Sequence, residues 1–182
     1  MQLKQIRRHL QKRLKDKKGS MIIEYTIGLL MLVVFVAFCL DMIIIGHKHY
    51  YIGEEMANVA RTLSVQSGAE LTTPVGYPGG SRAYQTSSEI IQRMNKVAEV
   101  AGLEKDEWEL YIEEIDGNGN VVRSGILTEE TNFEANYLNK IAVEFRGVYQ
   151  WKAMSGAIPG IGKDRVLNIK RIAMAEYVRS YD

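Results

Sequence analysis

Cysteine is all but missing from this 182-residue chain, and the single Cys39 excludes an intrachain disulfide. Histidine is nearly as scarce: His9, His47 and His49 are the whole supply. The last two stand at i and i+2, which on a helix points them to different faces, so they make a poor metal pair. Beyond residue 49 there is neither histidine nor cysteine, and catalysis there would have to rest on carboxylates, serine or lysine. Nothing in the sequence gathers these into a site, so no enzyme, no metal and no cofactor is expected. Proline is limited to three residues, none of them between Ser20 and Ser67, so nothing in that stretch forces a helix to break.

Charge is missing locally as well. The run from Met21 to Gly46 is interrupted only by Glu24 and Asp41. Its uncharged window, Tyr25 to Leu40, spans 16 residues. That is about 24 Å of helix at roughly 1.5 Å per residue, short of the roughly 30 Å of a bilayer core. One or both carboxylates therefore belong at or inside the membrane edge, Asp41 as a second intramembrane or interfacial charge. A membrane span over about 22–46 is expected. A cleaved secretory signal would have an apolar stretch of about 7–15 residues ending in a small-x-small site; "DMIIIGHKHYY" offers none.

The net charge of +1 hides an asymmetry. Residues 1–18 carry eight Lys/Arg and one Asp, including Arg7, Arg8, Lys12, Arg13, Lys15, Lys17 and Lys18, whereas the remainder is acidic. A basic stub abutting an apolar run marks a cytoplasmic flank, which puts everything after Gly46 outside. The stub lacks the aromatic interleaving of a nucleic-acid binder. Anionic membrane lipid is the expected partner, at about 1 kcal/mol per basic residue near the surface. His47, Lys48, Tyr50 and Tyr51 are expected in the headgroup region.

After Gly46 helical periodicity continues: Ile52, Met56, Val59 and Leu63 recur at i, i+4, i+7 and i+11. One helix over 20–67, about 70 Å long, is expected. The stretch 68–82, "GAELTTPVGYPGGSR", reads as a Gly/Pro linker. A head over 83–182 follows. In it Ser87 or Ser88 caps a helix with apolar positions Ile90, Ile91, Met94, Val97, Ala98 and Ala101, ended by Gly102. Trp108, Leu110 and Ile112 then alternate with Glu109, Tyr111 and Glu113, and "DGNGN" turns the chain into "VVRSGIL" as a hairpin. Ile141, Val143 and Phe145 make a third strand. The tail 166–178 is open between helix (Ile169, Ile172, Ala173) and strand (Ile172, Met174, Val178), with strand favoured because a hairpin needs a further partner. The fold class is α+β, a long N-terminal transmembrane helix and a small head with one helix and an antiparallel sheet.

Two motifs invite chemistry and fail it. "DGNGN" begins like a calcium loop, but Val121 stands where Gly belongs and Leu127 where Glu belongs. "GAIPGIGKD", residues 156–164, imitates a phosphate loop, with Ala157 at the first required glycine and Asp164 at the magnesium-holding hydroxyl. A tight turn and a surface loop account for them.

The stretch "KKGSMIIEY", Lys17 to Tyr25, resembles the processing site of type IV prepilins, most closely the Flp and TadE-like branch of the tight-adherence (Tad) systems. In that family a basic leader (here 1–19) ends in glycine, a prepilin peptidase cuts after it, and the fifth mature residue is glutamate, often followed by tyrosine or phenylalanine. The resemblance puts the cut between Gly19 and Ser20 and makes Glu24 and Tyr25 the assembly pair. The carboxylate would meet the new amino terminus of a neighbouring subunit. It implies a TadE-like minor pilin or pseudopilin that serves adhesion, secretion or DNA transfer. Its partners would be the peptidase, other pilin-like subunits, and an assembly platform with its ATPase. The resemblance covers about the first 50 residues. Asp41 departs from the uniformly apolar segment of the best-known pilins. The alternatives are an unprocessed single-span protein with an extracytoplasmic ligand- or partner-binding domain and, further off, an anchored hydrolase, for which two acids converging in a pocket would speak.

Overall fold

A computed structural model describes the backbone over residues 17–150 and 164–177, and side chains over 21–150 and 166–177. The basic residues Arg7, Arg8, Lys12, Arg13 and Lys15, the loop 156–163 and Val178 lie outside the described residues, as do the side chains of Lys17, Lys18, Gly19 and Ser20. Helix α1 runs Lys17–Gln66. The described residues form two compact units that divide within α1 at Ile43 and Ile44.

In the first unit, the residues from Met21 to Val36 are solvent-exposed apart from the half-buried Val34, and all are apolar except Glu24, Tyr25, Thr26 and Gly28. Among the described residues this is the one helix long and apolar enough to cross a membrane. Its one aliphatic hydroxyl in that stretch, Thr26, does not disturb it. Thr26 Oγ1 donates back to the Ile22 carbonyl at 2.8 Å, which satisfies the group without a partner from outside.

The second unit is built on a core in which the helical stripe is fully used: Ile52, Met56, Val59 and Leu63 have no exposed surface. They meet Ile90, Ile91, Met94 and Ala98 from helix α2 (Ser87–Val100) and the inward residues of a sheet. That sheet has strands β2 (Trp108–Ile115), β3 (Val121–Ile126), β5 (Lys140–Gln150) and β6 (Asp164–Met174), all antiparallel in the order β3–β2–β5–β6. Period-two alternation aims Leu110 and Ile112, then Ile141, Val143 and Phe145, into the core. Each such side chain contributes roughly 1.5–3 kcal/mol by leaving water. Trp108 stacks on Phe145 with ring centroids 5.3 Å apart. The sheet's other face carries a charge lattice: Lys170 Nζ donates to Glu113 at 2.9 Å, and Glu144 accepts from Arg146 at 2.9 Å and from Asn168.

Three details differ from the sequence reading. The cap of α2 is Thr86, one residue before the serines: its hydroxyl accepts from the Glu89 amide while the Glu89 carboxylate accepts from the Thr86 amide. The tail is a strand, but in the opposite phase. Leu167 and Ile169 face the core, while Ile172 and Met174 are about half exposed. A further two-stranded ladder joins β1 (Gly68–Ala69) to β4 (Phe133–Glu134), so the sheet structure is larger than the sequence indicated. The glycine- and proline-rich stretch that holds β1 also contains a 3₁₀ turn, Gly80–Arg82, and the buried Tyr77.

The end of α2 follows the sequence: Gly102 takes φ 71°, and the Leu103 amide returns to the Ala98 carbonyl at 2.9 Å. In the hairpin loop, Asp116 Oδ1 accepts the amides of Asn118 at 2.9 Å and Asn120 at 2.8 Å. These bonds, that from the Asn120 backbone foremost, hold its carboxyl below the usual range. The carboxylate that would have opened a calcium loop instead ties off a turn.

Candidate functional site

Helical geometry places Glu24 one turn before Gly28, where no atom stands within 4 Å of a would-be side chain. Glu24, Tyr25, Gly28, Leu29 and Leu32 border one recess on the helix. Both Glu24 and Tyr25 are exposed, and Glu24 makes no hydrogen bond or ion pair among the described residues. Gly19 and Ser20 stand within the first turns of α1, so the bond between them is four to five residues from Glu24. The structure thus keeps Gly19, Ser20, Glu24 and Tyr25 on one stretch of helix.

Asp41 behaves differently. It is fully buried and engaged within the chain, and Ala37, one turn earlier, is buried too. The burial of Asp41 leaves no side-chain surface to face water. Cys39 is a free, half-buried thiol.

Within the second unit, Lys48 was expected among wet headgroup residues and is instead buried, its ammonium 4.0 Å from the ring centroid of Tyr149. Sequence inspection cannot pair residues 48 and 149, because nothing local in either one announces the other. His47 and His49 are both exposed, and the His47 ring lies 6.5 Å from that of Tyr51. Among the described residues no group of histidine, cysteine and carboxylate side chains is arranged to hold a metal ion.

A carboxylate missed from sequence is Glu114, which has no exposed surface. Its Oε1 accepts three bonds: from the Asn136 amide at 2.8 Å, from Asn136 Nδ2 at 2.9 Å and from Asn139 Nδ2 at 2.7 Å. Arg123 Nε lies 3.8 Å from Oε2. A signal was present. Trp108, Leu110, Ile112 and Glu114 share one phase of β2, so an acid stood on the inward side.

The recesses of this unit include two of about 300 Å³ or more. One of about 590 Å³ has an apolar floor including Ile91, Trp108, Leu110 and Leu127. Of the acids on its rim, Glu109 lies 3.6 Å from Arg146 and Glu129 lies 4.0 Å from Lys105. The other, about 310 Å³, is polar and contains Asn58, Arg61, Gln66, Gln85 and Arg93.

No protein-family model, curated protein or solved structure matches the chain.

Proposed function

We propose that the chain is a non-enzymatic, single-span pilin-like subunit of the TadE-like kind. A prepilin peptidase cuts it between Gly19 and Ser20, and it then joins or primes a pilus or pseudopilus with other pilin-like subunits on an assembly platform driven by an ATPase. The carrying observation is Glu24: a carboxylate without a partner among the described residues, five residues after a Gly–Ser bond, on a helix whose surrounding apolar side chains are exposed. Exposed Leu, Ile and Phe over five turns call for lipid or other helices. In lipid an unpaired carboxylate costs about 2.5–3.5 kcal/mol at the bilayer centre and less towards its edge.

Cutting after Gly19 removes the eight basic residues of the stub and creates an amino group on Ser20. Ser20 and Glu24 are four residues apart, about 6 Å along the helix axis. Two such ends, brought together by neighbouring subunits, turn two isolated charges into a pair. Because the amine exists only after the cut, processing is coupled to assembly. The positive-inside rule keeps the stub cytoplasmic and puts the second unit across the membrane, where it serves surface contacts.

The test is the mass of the mature N-terminus in cells with and without the prepilin peptidase. A chain that starts at Ser20 only when the peptidase is present supports the reading. A chain that still starts at Met1 in peptidase-bearing cells reduces the protein to an anchored ectodomain whose stub is only a topology signal.

A further inference from the structure

Near the end of α1 lies a polar recess of about 310 Å³, at the small end of the roughly 300–1,000 Å³ typical of ligand pockets. Gln66 forms part of its wall. This side chain is 2% exposed, yet neither its amide nitrogen nor its amide oxygen has a hydrogen-bond partner. Buried amides are almost always satisfied, and one left open at both ends is costly. A turn of the side chain into the recess relieves that cost once something there offers both an acceptor and a donor.

Arg93 shows the same incompleteness. Its Nε is held by the Glu55 carboxylate, and its Nη1 donates to Gln85 Oε1 at 2.9 Å. Its Nη2 is buried and unpartnered. The Glu55 carboxylate also accepts from Asn58 at 3.4 Å, so the acid is occupied by its own neighbours. Arg61 stands exposed on the same face of α1, one turn from Asn58. Arg61 and Arg93 against Glu55 leave the recess with one net positive charge. Tyr77 closes one side, braced edge-on by Tyr84 and Tyr177 with ring centroids 5.0 and 5.1 Å away.

These vacancies specify a ligand. A primary amide presents a donor beside an acceptor. Its complement is the N–H and C=O of a single extended residue, which point to the same side of a chain as they do in a sheet ladder. A guanidinium Nη2 with both of its N–H groups open and one net positive charge suit a monoanionic carboxylate, whereas phosphate brings more charge than the recess balances. We propose that this recess binds the carboxylate end of a peptide in extended form, with Gln66 reading the terminal residue's backbone and Arg93, aided by Arg61, holding the carboxylate. The site is independent of the assembly role proposed above.

The experiment titrates N-acetyl-alanyl-alanine into the full chain in detergent micelles and follows the Gln66 side-chain amide and the Arg93 guanidinium by NMR. Its carboxamide, free alanine and inorganic phosphate are titrated in parallel. The acid form should shift both signals saturably, and the carboxamide and free alanine should each bind at least about tenfold more weakly. Gln66→Leu, which removes the two open groups, should abolish binding and raise the Tm, and this separates a lost site from a lost fold. Arg61→Gln, on the surface, should weaken binding about threefold with no change in Tm. Equal binding of acid and carboxamide, tighter binding of phosphate, full binding by Gln66→Leu, or no shift at about 10 mM peptide would each overturn the proposal.

Discussion

Replacing Glu114 with alanine tests the account of what holds the second unit together. Its Oε1 is the common acceptor of the Asn136 amide and the side-chain amides of Asn136 and Asn139. The loop fixed in this way holds two other parts in place. The Ala135 amide donates to the Ser67 carbonyl at 2.9 Å beside the β1–β4 ladder, and Leu138 and Asn139 exchange bonds with Ala175 at 3.0 and 2.8 Å. Leu138 itself sits at φ 67°, a conformation that a leucine keeps only when its surroundings impose it. Each hydrogen bond to a charged group is worth about 1.5–3 kcal/mol net. Asn136 is exposed and Asn139 half-buried, so water can replace part of what their side chains lose. A total of about 3–5 kcal/mol is therefore expected for Glu114→Ala, the usual cost of breaking a buried charged network. Glu114→Gln keeps an oxygen for the three donors and should cost about 1–2 kcal/mol. Arg123→Gln removes a pair at 3.8 Å whose arginine is more than half exposed, and should cost under about 1 kcal/mol. Thermal unfolding by near-ultraviolet circular dichroism reads the order. At roughly 2–4 °C per kcal/mol, Glu114→Ala should lower the Tm by about 10 °C. Hydrogen exchange at Leu138 and Ala175 should accelerate before global unfolding. A Glu114→Ala protein within about 1 kcal/mol of the parent, or Arg123→Gln as damaging as Glu114→Ala, would refute the reasoning.

Gly68→Ala should destabilise by about 2 kcal/mol or more and disrupt the β1–β4 ladder: φ there is 147°, and an added Cβ would lie 2.2 Å from the Phe133 carbonyl oxygen, readable as lost protection of the Ala135 amide. Thr86→Ala should cost about 1 kcal/mol through loss of the capping box, measured by denaturant unfolding, while Ser88→Ala should be nearly silent because that residue does not cap. Glu144 is held below the usual carboxyl range, chiefly by its hydrogen bond from Arg146. The stability it lends is therefore complete above about pH 4.5 and is lost as acid carries the pH down through its lowered value, so a Glu144→Gln protein should show a flatter stability curve below pH 4.5. Glu24→Ala should be cut by the peptidase as the parent is, yet fail to enter a filament or complex with other subunits; normal incorporation, read by crosslinking and shear fractionation, would remove the pairing role assigned to it.

What was legible in the sequence is what periodicity records. The stripe Ile52, Met56, Val59, Leu63 and the alternation in β2 and β5 are local patterns, and every one of those helix positions is buried. β6 was harder because Val166, Ile172 and Met174 put apolar side chains on its outer face beside the inward Leu167 and Ile169, so neither period stands out. The two-residue strands β1 and β4 are too short for any period. What sets them is backbone conformation, with Ser67 at φ 52° just before Gly68 at 147°. Thr86 was overlooked because two serines follow it, although Thr-Ser-Ser-Glu carries the box spacing. The pairings that define sites, Lys48 with Tyr149 or Gln66 near Arg93, join residues 27 or more positions apart, and no single-sequence pattern encodes them.

Carboxylates in dry surroundings form a consistent series in this chain. Glu114 and Asp41 both have no exposed surface, and each is answered from within the chain, Glu114 by two asparagines and an arginine. This is what electrostatics demands, because the cost of moving an ion out of water is recovered only when partners replace the water. Glu24 departs from it. It lies on the most apolar stretch of the chain and makes no hydrogen bond or ion pair among the described residues. Glu24 is exposed, and on the proposed reading, in which lipid surrounds it, its charge calls for a cation from outside the fold. The cation proposed here, the amino group uncovered on a neighbouring Ser20, would be supplied by the same proposed cut that strips the basic stub away.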